Sequence, residues 1–299
     1  MLRYLTMMIG VLSSTLSVAA ELSVFACEPE WAALATELGG DRVEVTSATT
    51  ALQDPHRIQA RPSLIARMRS ADLVICTGAE LESGWLPLLL RRANNPRVQP
   101  GQPGYLEAAA AVTLLDRPQR LDRAAGDIHA QGNPHIQTNP HNLAAVARLL
   151  AARLSTLDPN HAQDYRDRLD DFLVRWQDAN ARWDEAALRL RGKTVVVQHR
   201  SWSYLEQWLG LTEVAAIEPK PGVPPASGDM SRLVTQLEQQ PADVIIRAAY
   251  QDDAGAKWLS ERTGIPVAVL PFTVGGSPAA RDLFGLFDDT LQQLLAAVP

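Results

Sequence analysis

The sequence predicts an α/β protein of two lobes, each a mostly parallel β-sheet flanked by helices, joined by one long α-helix. Three observations predict it. Short apolar runs alternate with amphipathic segments along residues 22–92 and again along 194–297, the pattern of strand–helix units around a parallel sheet. Between them, Tyr165, Leu169, Phe172, Leu173, Trp176, Ala179, Trp183 and Ala187 recur at threes and fours among Asp and Arg, which makes residues 161–190 one amphipathic helix of about 30 residues, roughly 45 Å long. Finally, 299 residues with 46% hydrophobic and 21% charged side chains can bury a core in each of two domains and are too apolar for a disordered chain.

In chain order, residues 1–20 stand apart. Arg3 gives a positive start, residues 4–12 are mostly apolar, and Ser17-Val18-Ala19-Ala20 offers small residues for cleavage before Glu21, so this segment reads as a signal peptide. It is too short for a spanning helix, and no lipid-attachment cysteine follows it. The N-terminal lobe is expected over 21–158. Strands are predicted at 22–27, 43–48 and 71–77, helices at 31–38 (stopped by Gly39-Gly40), 63–69 and 80–92. Residues 94–132 are dense in Pro, Gly and small side chains and give no regular element. A helix at 142–157 presents Leu143, Val146, Leu149, Leu150 and Leu154 on one side. The linking helix is placed at 159–190 and the C-terminal lobe at 191–299. There, strands at 194–198, 213–217, 244–247 and 267–270 alternate with helices at 203–209, 229–240, 254–263 and 282–297.

The formal charge is −6, from 28 Lys and Arg against 34 Asp and Glu, and becomes −7 once Arg3 leaves with the leader. That argues against a nucleic-acid partner. Two cysteines, Cys27 and Cys76, end two predicted strands. In an exported chain they form a disulfide if those strands are neighbours, or stay separate buried thiols if not.

Half of the six histidines, His129, His135 and His141, fall within residues 126–142, where two Asn-Pro steps hold the backbone out of helical geometry. His56 follows Asp54-Pro55 in the loop after the second strand. His199 comes directly after 194–198, at the carboxyl end of a strand, where open α/β sheets bind ligands. Three imidazoles from distant points, His56, His135 and His199, can thus meet between the lobes, and together they make a zinc-type set that needs one more donor.

These motifs resemble the periplasmic solute-binding proteins of bacterial zinc and manganese ABC importers, whose two domains are bridged by a long rigid helix. Asp54-Pro55-His56 with Arg61-Pro62-Ser63, Asn133-Pro134-His135-Ile136 with Asn139-Pro140, Val197-Gln198-His199 with Trp202 and Tyr204, and Ile217-Glu218-Pro219 carry the resemblance across the mature chain. It implies that His56, His135 and His199 are metal ligands, and a histidine at the third position implies Zn²⁺ over manganese or iron. Members often place an aspartate just after the last strand. Here that stretch reads Leu270-Pro271-Phe272-Thr273-Val274-Gly275-Gly276, so Asp282 becomes the candidate fourth ligand, with Asp252, Asp253 or a water as alternatives. Asp127-Ile128-His129 stands where zinc-specific relatives carry a longer His-rich loop, which gives His129 a secondary, metal-capturing role. His141 and His161 read as structural or exposed.

The resemblance implies a monomeric periplasmic protein that captures Zn²⁺ and delivers it to an ABC permease, with a periplasmic zinc metallochaperone as a further partner. Binding is expected to weaken as pH falls through about 6.5. The alternatives are manganese or iron uptake, an adhesin-like role on the same fold, and a zinc-dependent hydrolase. No His-Glu-x-x-His helix or nucleophile-elbow pattern supports an enzyme.

Overall fold

The computed structural model describes residues 21–120, 126, 127 and 129–298. The expected signal peptide lies outside the described residues. The first sheet is built from β1 (Leu22–Ala26), β2 (Val43–Ser47), β3 (Leu73–Cys76) and β4 (Tyr105–Glu107), in the order β2-β1-β3-β4 and parallel throughout. Helices α1 (Pro29–Gly39), α2 (Pro62–Ser70), α3 (Leu86–Ala93) and α4 (Pro140–Leu157) complete this half. The second sheet repeats the plan: β5 (Thr194–Val197), β6 (Thr212–Ala216), β7 (Val244–Ala248) and β8 (Val267–Leu270), ordered β6-β5-β7-β8 and again parallel. Its helices are α6 (Ser203–Leu209), α7 (Ser227–Gln239), α8 (Ala254–Thr263) and α9 (Leu283–Ala297). The central strands read Leu-Val-Ile-Cys and Thr-Val-Val-Val because helices cover both faces, so burial is continuous instead of alternating.

Helix α5 (Ala162–Ala187) joins the halves. It is shorter than the 30 residues expected, because single 3₁₀ turns, Pro159–His161 and Leu188–Leu190, replace its first and last turns. Its apolar stripe is aromatic. Trp176 stacks on Phe172 at 5.1 Å, meets Trp183 and Phe284 edge-on at 5.1 and 4.9 Å, and donates its indole N–H to the Pro140 carbonyl at 2.9 Å. Helix α9 packs on β8, α5 and α1, so the end of the chain returns to the first half and one core runs through both sheets.

Two expectations need correction. The helix predicted from residue 80 begins only at Leu86, since Gly78, Ala79 and Glu80 all have positive φ and form turns instead. The stretch taken as irregular contains β4, whose three residues pair with Val74, Ile75 and Cys76. Cys27 and Cys76 are fully buried and form a disulfide, with β1 and β3 as direct neighbours.

Candidate metal centre

Three loops at the carboxyl ends of the strands carry the imidazoles. His56 is held by Asp54, whose Oδ1 accepts from the His56 backbone N–H at 3.0 Å and lies 2.8 Å from its Nδ1. The indole of Trp85 donates to the Pro55 carbonyl at 2.9 Å and fixes the same turn from beneath. With Nδ1–H spent on Asp54, the acceptor nitrogen is Nε2, which is buried and has no protein partner among the described residues.

His135 is 1% exposed. Asn133 Oδ1 accepts from its backbone N–H at 3.0 Å, while Asn133 Nδ2 donates to Asp116, the Arg200 carbonyl and Ser203. Tyr204 adds a bond to the Asn133 carbonyl at 2.8 Å. This joins the Asn-Pro-His turn of one half to the loop around His199 in the other.

His199 follows β5 by two residues. Its Nδ1 lies 2.7 Å from Glu218 Oε2, an oxygen that also accepts from the Gly222 N–H at 2.7 Å. The carboxylate accepts only, so it fixes Nδ1 as the protonated nitrogen and leaves Nε2 for a metal. In the sequence Glu218 stands only within Ile217-Glu218-Pro219, one of the motifs that carry the resemblance. Its role shows only once β6 brings residue 218 beside residue 199, although Asp54, two residues before His56, is the same device within one loop.

The rings converge. Centroids of His56 and His135 are 5.3 Å apart, His56 and His199 5.9 Å, and His135 and His199 6.1 Å. His129 joins them, 5.4 Å from His56 and 6.3 Å from His135, and the ligand nitrogens of His56, His129 and His135 all lie within 4.8 Å of one another. The segment around His129 crosses the cleft: the Asp127 N–H bonds to the Pro221 carbonyl at 3.0 Å, and the Ala130 N–H to Glu80 at 2.5 Å. Gly126 permits that crossing. Its φ is +95°, and a Cβ there would sit 2.3 Å from the Pro221 carbonyl oxygen.

Burial holds His135 far below the ordinary histidine range, helped by His56, His199 and His129 beside it. Burial, then His56, takes His129 down to about 4. Burial alone would raise Asp54, but the hydrogen bonds and charge of His56 outweigh it and keep that carboxylate below its usual value. His129 and His135 held neutral, beside a carboxylate at Asp54 held ionised, have the protonation state a divalent cation requires.

Asp282 is not at this centre. It is exposed and caps α9, where its Oδ1 accepts from the Gly285 N–H at 2.8 Å. The short side chain finds a partner three residues on, and that local bond fixes where it points. Asp282→Ala is therefore expected to cost about 1 kcal/mol of stability, with metal affinity unchanged in a calorimetric titration. Asp252 and Asp253 are also exposed, Asp252 bonded to the Ala254 N–H and Asp253 at the start of α8. In the turn after β8, Phe272 instead sets its ring 5.3 Å from His135 and the same distance from Trp202, an apolar wall. His141 pairs with Asp184 and His161 with Asp158, both away from the cleft.

Two parallel α/β halves on a linking helix, with imidazoles gathered in the cleft between them, are the plan of a metal-binding substrate-binding protein of an ABC transporter, as the relatives of this chain are named. A family described as zinc-uptake complex component A, periplasmic, matches residues 24–297, and the chain belongs to it. It is 22% identical over 263 residues to the manganese ABC transporter substrate-binding lipoprotein PsaA of Streptococcus pneumoniae TIGR4, covering 85% of this chain and 80% of that one. Its fold superposes on a crystal structure of ZnuA with a TM-score of 0.77 at 20% identity, covering 93% and 99% of the two chains. A Mn-bound periplasmic metal binding protein from Candidatus Liberibacter asiaticus gives 0.75 at 16%, with 92% and 99% covered.

Proposed function

We propose that this chain captures Zn²⁺ in the periplasm and passes it to the permease of an ABC importer, with His56, His129, His135 and His199 as ligands. The observation that carries the reading is the convergence of imidazoles, with ligand nitrogens of His56, His129 and His135 within 4.8 Å of one another, the His199 ring 5.9 and 6.1 Å from those of His56 and His135, and Phe272 against His135. Imidazole suits zinc, copper and nickel, whereas manganese favours carboxylate and carbonyl oxygen. His129 takes the fourth position, where the sequence had suggested Asp282. A tetrahedral zinc with bonds of about 2.0–2.1 Å needs its nitrogens roughly 3.3 Å apart, so the rings draw together on binding. The name of the Streptococcus relative favours manganese as the second reading. Competition decides between them: zinc should displace manganese from the purified protein at equal concentrations, and retention of manganese would support the alternative.

Two further outcomes follow from the electrostatics. Because His129 and His135 are already neutral at mildly acidic pH, they compete less with protons than ordinary imidazoles. Between pH 7.5 and 6.0 the zinc affinity should fall well short of the roughly 200-fold that four imidazoles of pKa 6.5 would lose. The same depression means that the unfolded chain takes up protons first as pH falls below 6.5. The apo protein should then lose stability between pH 6.5 and about 4, measured as a falling thermal midpoint. Asp54→Asn or Glu218→Gln should weaken zinc about 10–100-fold by releasing the ring each carboxylate orients, as read by chelator competition.

A further inference from the structure

One β-turn of the second half touches the loops of three imidazoles. Lys220-Pro221-Gly222-Val223 closes with the Val223 N–H on the Lys220 carbonyl at 3.0 Å, and has the residue order of a type II turn, proline second and glycine third, with Gly222 at φ +75°. The Gly222 N–H donates to Glu218 Oε2 at 2.7 Å, the oxygen that orients the His199 ring. The Gly222 carbonyl accepts from Arg57 Nη2 at 3.3 Å, and Arg57 directly follows His56 in the first half. The Pro221 carbonyl accepts from the N–H of Asp127, two residues before His129, and Asp127 Oδ2 lies 3.7 Å from Arg57 Nη2. The fit is close. A Cβ on Gly222 would sit 2.1 Å from Asp127 Oδ2 and 3.3 Å from Arg57 Nη2. On one side of the turn a cavity of about 700 Å³ has His56, His199, Asp127 and Gly222 in its wall; on the other, one of about 640 Å³ has His129, His135, His199, Asp127 and Pro221.

We propose that this turn is a clasp over the metal centre, with Arg57 and Gly222 as positioning residues that set how fast zinc enters and leaves. The proposal rests on the reading of the imidazoles as that centre and adds a kinetic control to it. Neither residue supplies a metal ligand. Their bonds instead join the neighbour of His56, the holder of His199 and the approach to His129, across the boundary between the halves. Arg57 is exposed, and exposed ion pairs and long hydrogen bonds contribute little to stability, so these contacts break and re-form readily. Breaking them separates Arg57 from Gly222 and Asp127 from Pro221, and opens the rings to both cavities at once. Contacts of this kind act on rates more than on the folded state.

The test is stopped-flow transfer of zinc from the loaded protein to a chelator, with the reverse loading of the metal-free protein. In Arg57→Gln both rates should rise about three- to tenfold, so that affinity falls less than dissociation accelerates. The sign is diagnostic. Removing a positive charge beside a cation acts by itself to speed association and slow dissociation, so faster dissociation reports the lost contacts and not the lost charge. Arg57→Lys keeps the charge and a donor, and should bring the rates back toward those of the parent. Gly222→Ala leaves the charge untouched, strains the positive-φ turn against Asp127, and should speed dissociation about tenfold. Dissociation that is unchanged or slowed in Arg57→Gln, or zinc released at the parent rate by Gly222→Ala, overturns the proposal. Zinc per chain in the parent protein reports the imidazole centre separately, so failure of the clasp is not mistaken for failure of the site.

Discussion

Replacing His56, His135 or His199 by alanine should lower zinc affinity at least 100-fold in each case, equivalent to about 2.7 kcal/mol or more. The three rings come from loops after β2, before α4 and after β5, and each is held by its own partner: Asp54 on the His56 ring, Asn133 on the His135 backbone, Glu218 on the His199 ring. Loss of one removes a nitrogen from a ring that its own partner already orients, and with it one of the bonds that hold the ion. His129→Ala should have a smaller effect, about tenfold, because water can take a vacated position on zinc. A loading role alone would leave its equilibrium affinity unchanged and slow only the association rate, so the two measurements together separate ligand from capture residue.

How much of this was legible beforehand depended on how local the cause was. The strands of both sheets showed in the sequence because buried parallel strands are short apolar runs whatever their neighbours. β4 did not show: Tyr105–Glu107 is three residues long, sits among Pro and Gly, and exists only because Val74 to Cys76 offers it an edge. The meeting of His56, His135 and His199 could be anticipated from strand ends and proline-flanked turns. That His129 approaches as closely could not, because its position rests on contacts of Asp127 with Pro221 and of Ala130 with Glu80, both remote in sequence. Asp282 shows the opposite case. A search for a missing carboxylate reached across the chain, while the first turn of α9 had already claimed the side chain through a bond three residues away.

The second large effect concerns the disulfide. Cys27 and Cys76 extend β1 and β3, which are hydrogen-bonded neighbours, and the bridge spans 49 residues of sequence. Beside it, the Cys27 carbonyl accepts from the N–H and the hydroxyl of Thr49, at the start of the loop that carries Asp54 and His56. The double substitution Cys27→Ala/Cys76→Ala should cost about 2–4 kcal/mol of stability through the larger conformational freedom of the unfolded chain, seen as a lower urea midpoint. Zinc stoichiometry should persist under native conditions, because the loop retains Asp54 and the Trp85–Pro55 bond. An unchanged midpoint would mean that the bridge contributes nothing beyond the packing of two buried side chains.

X-ray absorption of the zinc-loaded protein tests the central claim most directly. Four nitrogen scatterers at about 2.0–2.1 Å with the outer-shell signature of four imidazole rings are predicted, the imidazole count falling to three on His129→Ala. A shell dominated by oxygen, or fewer than three imidazoles in the parent protein, would contradict the account.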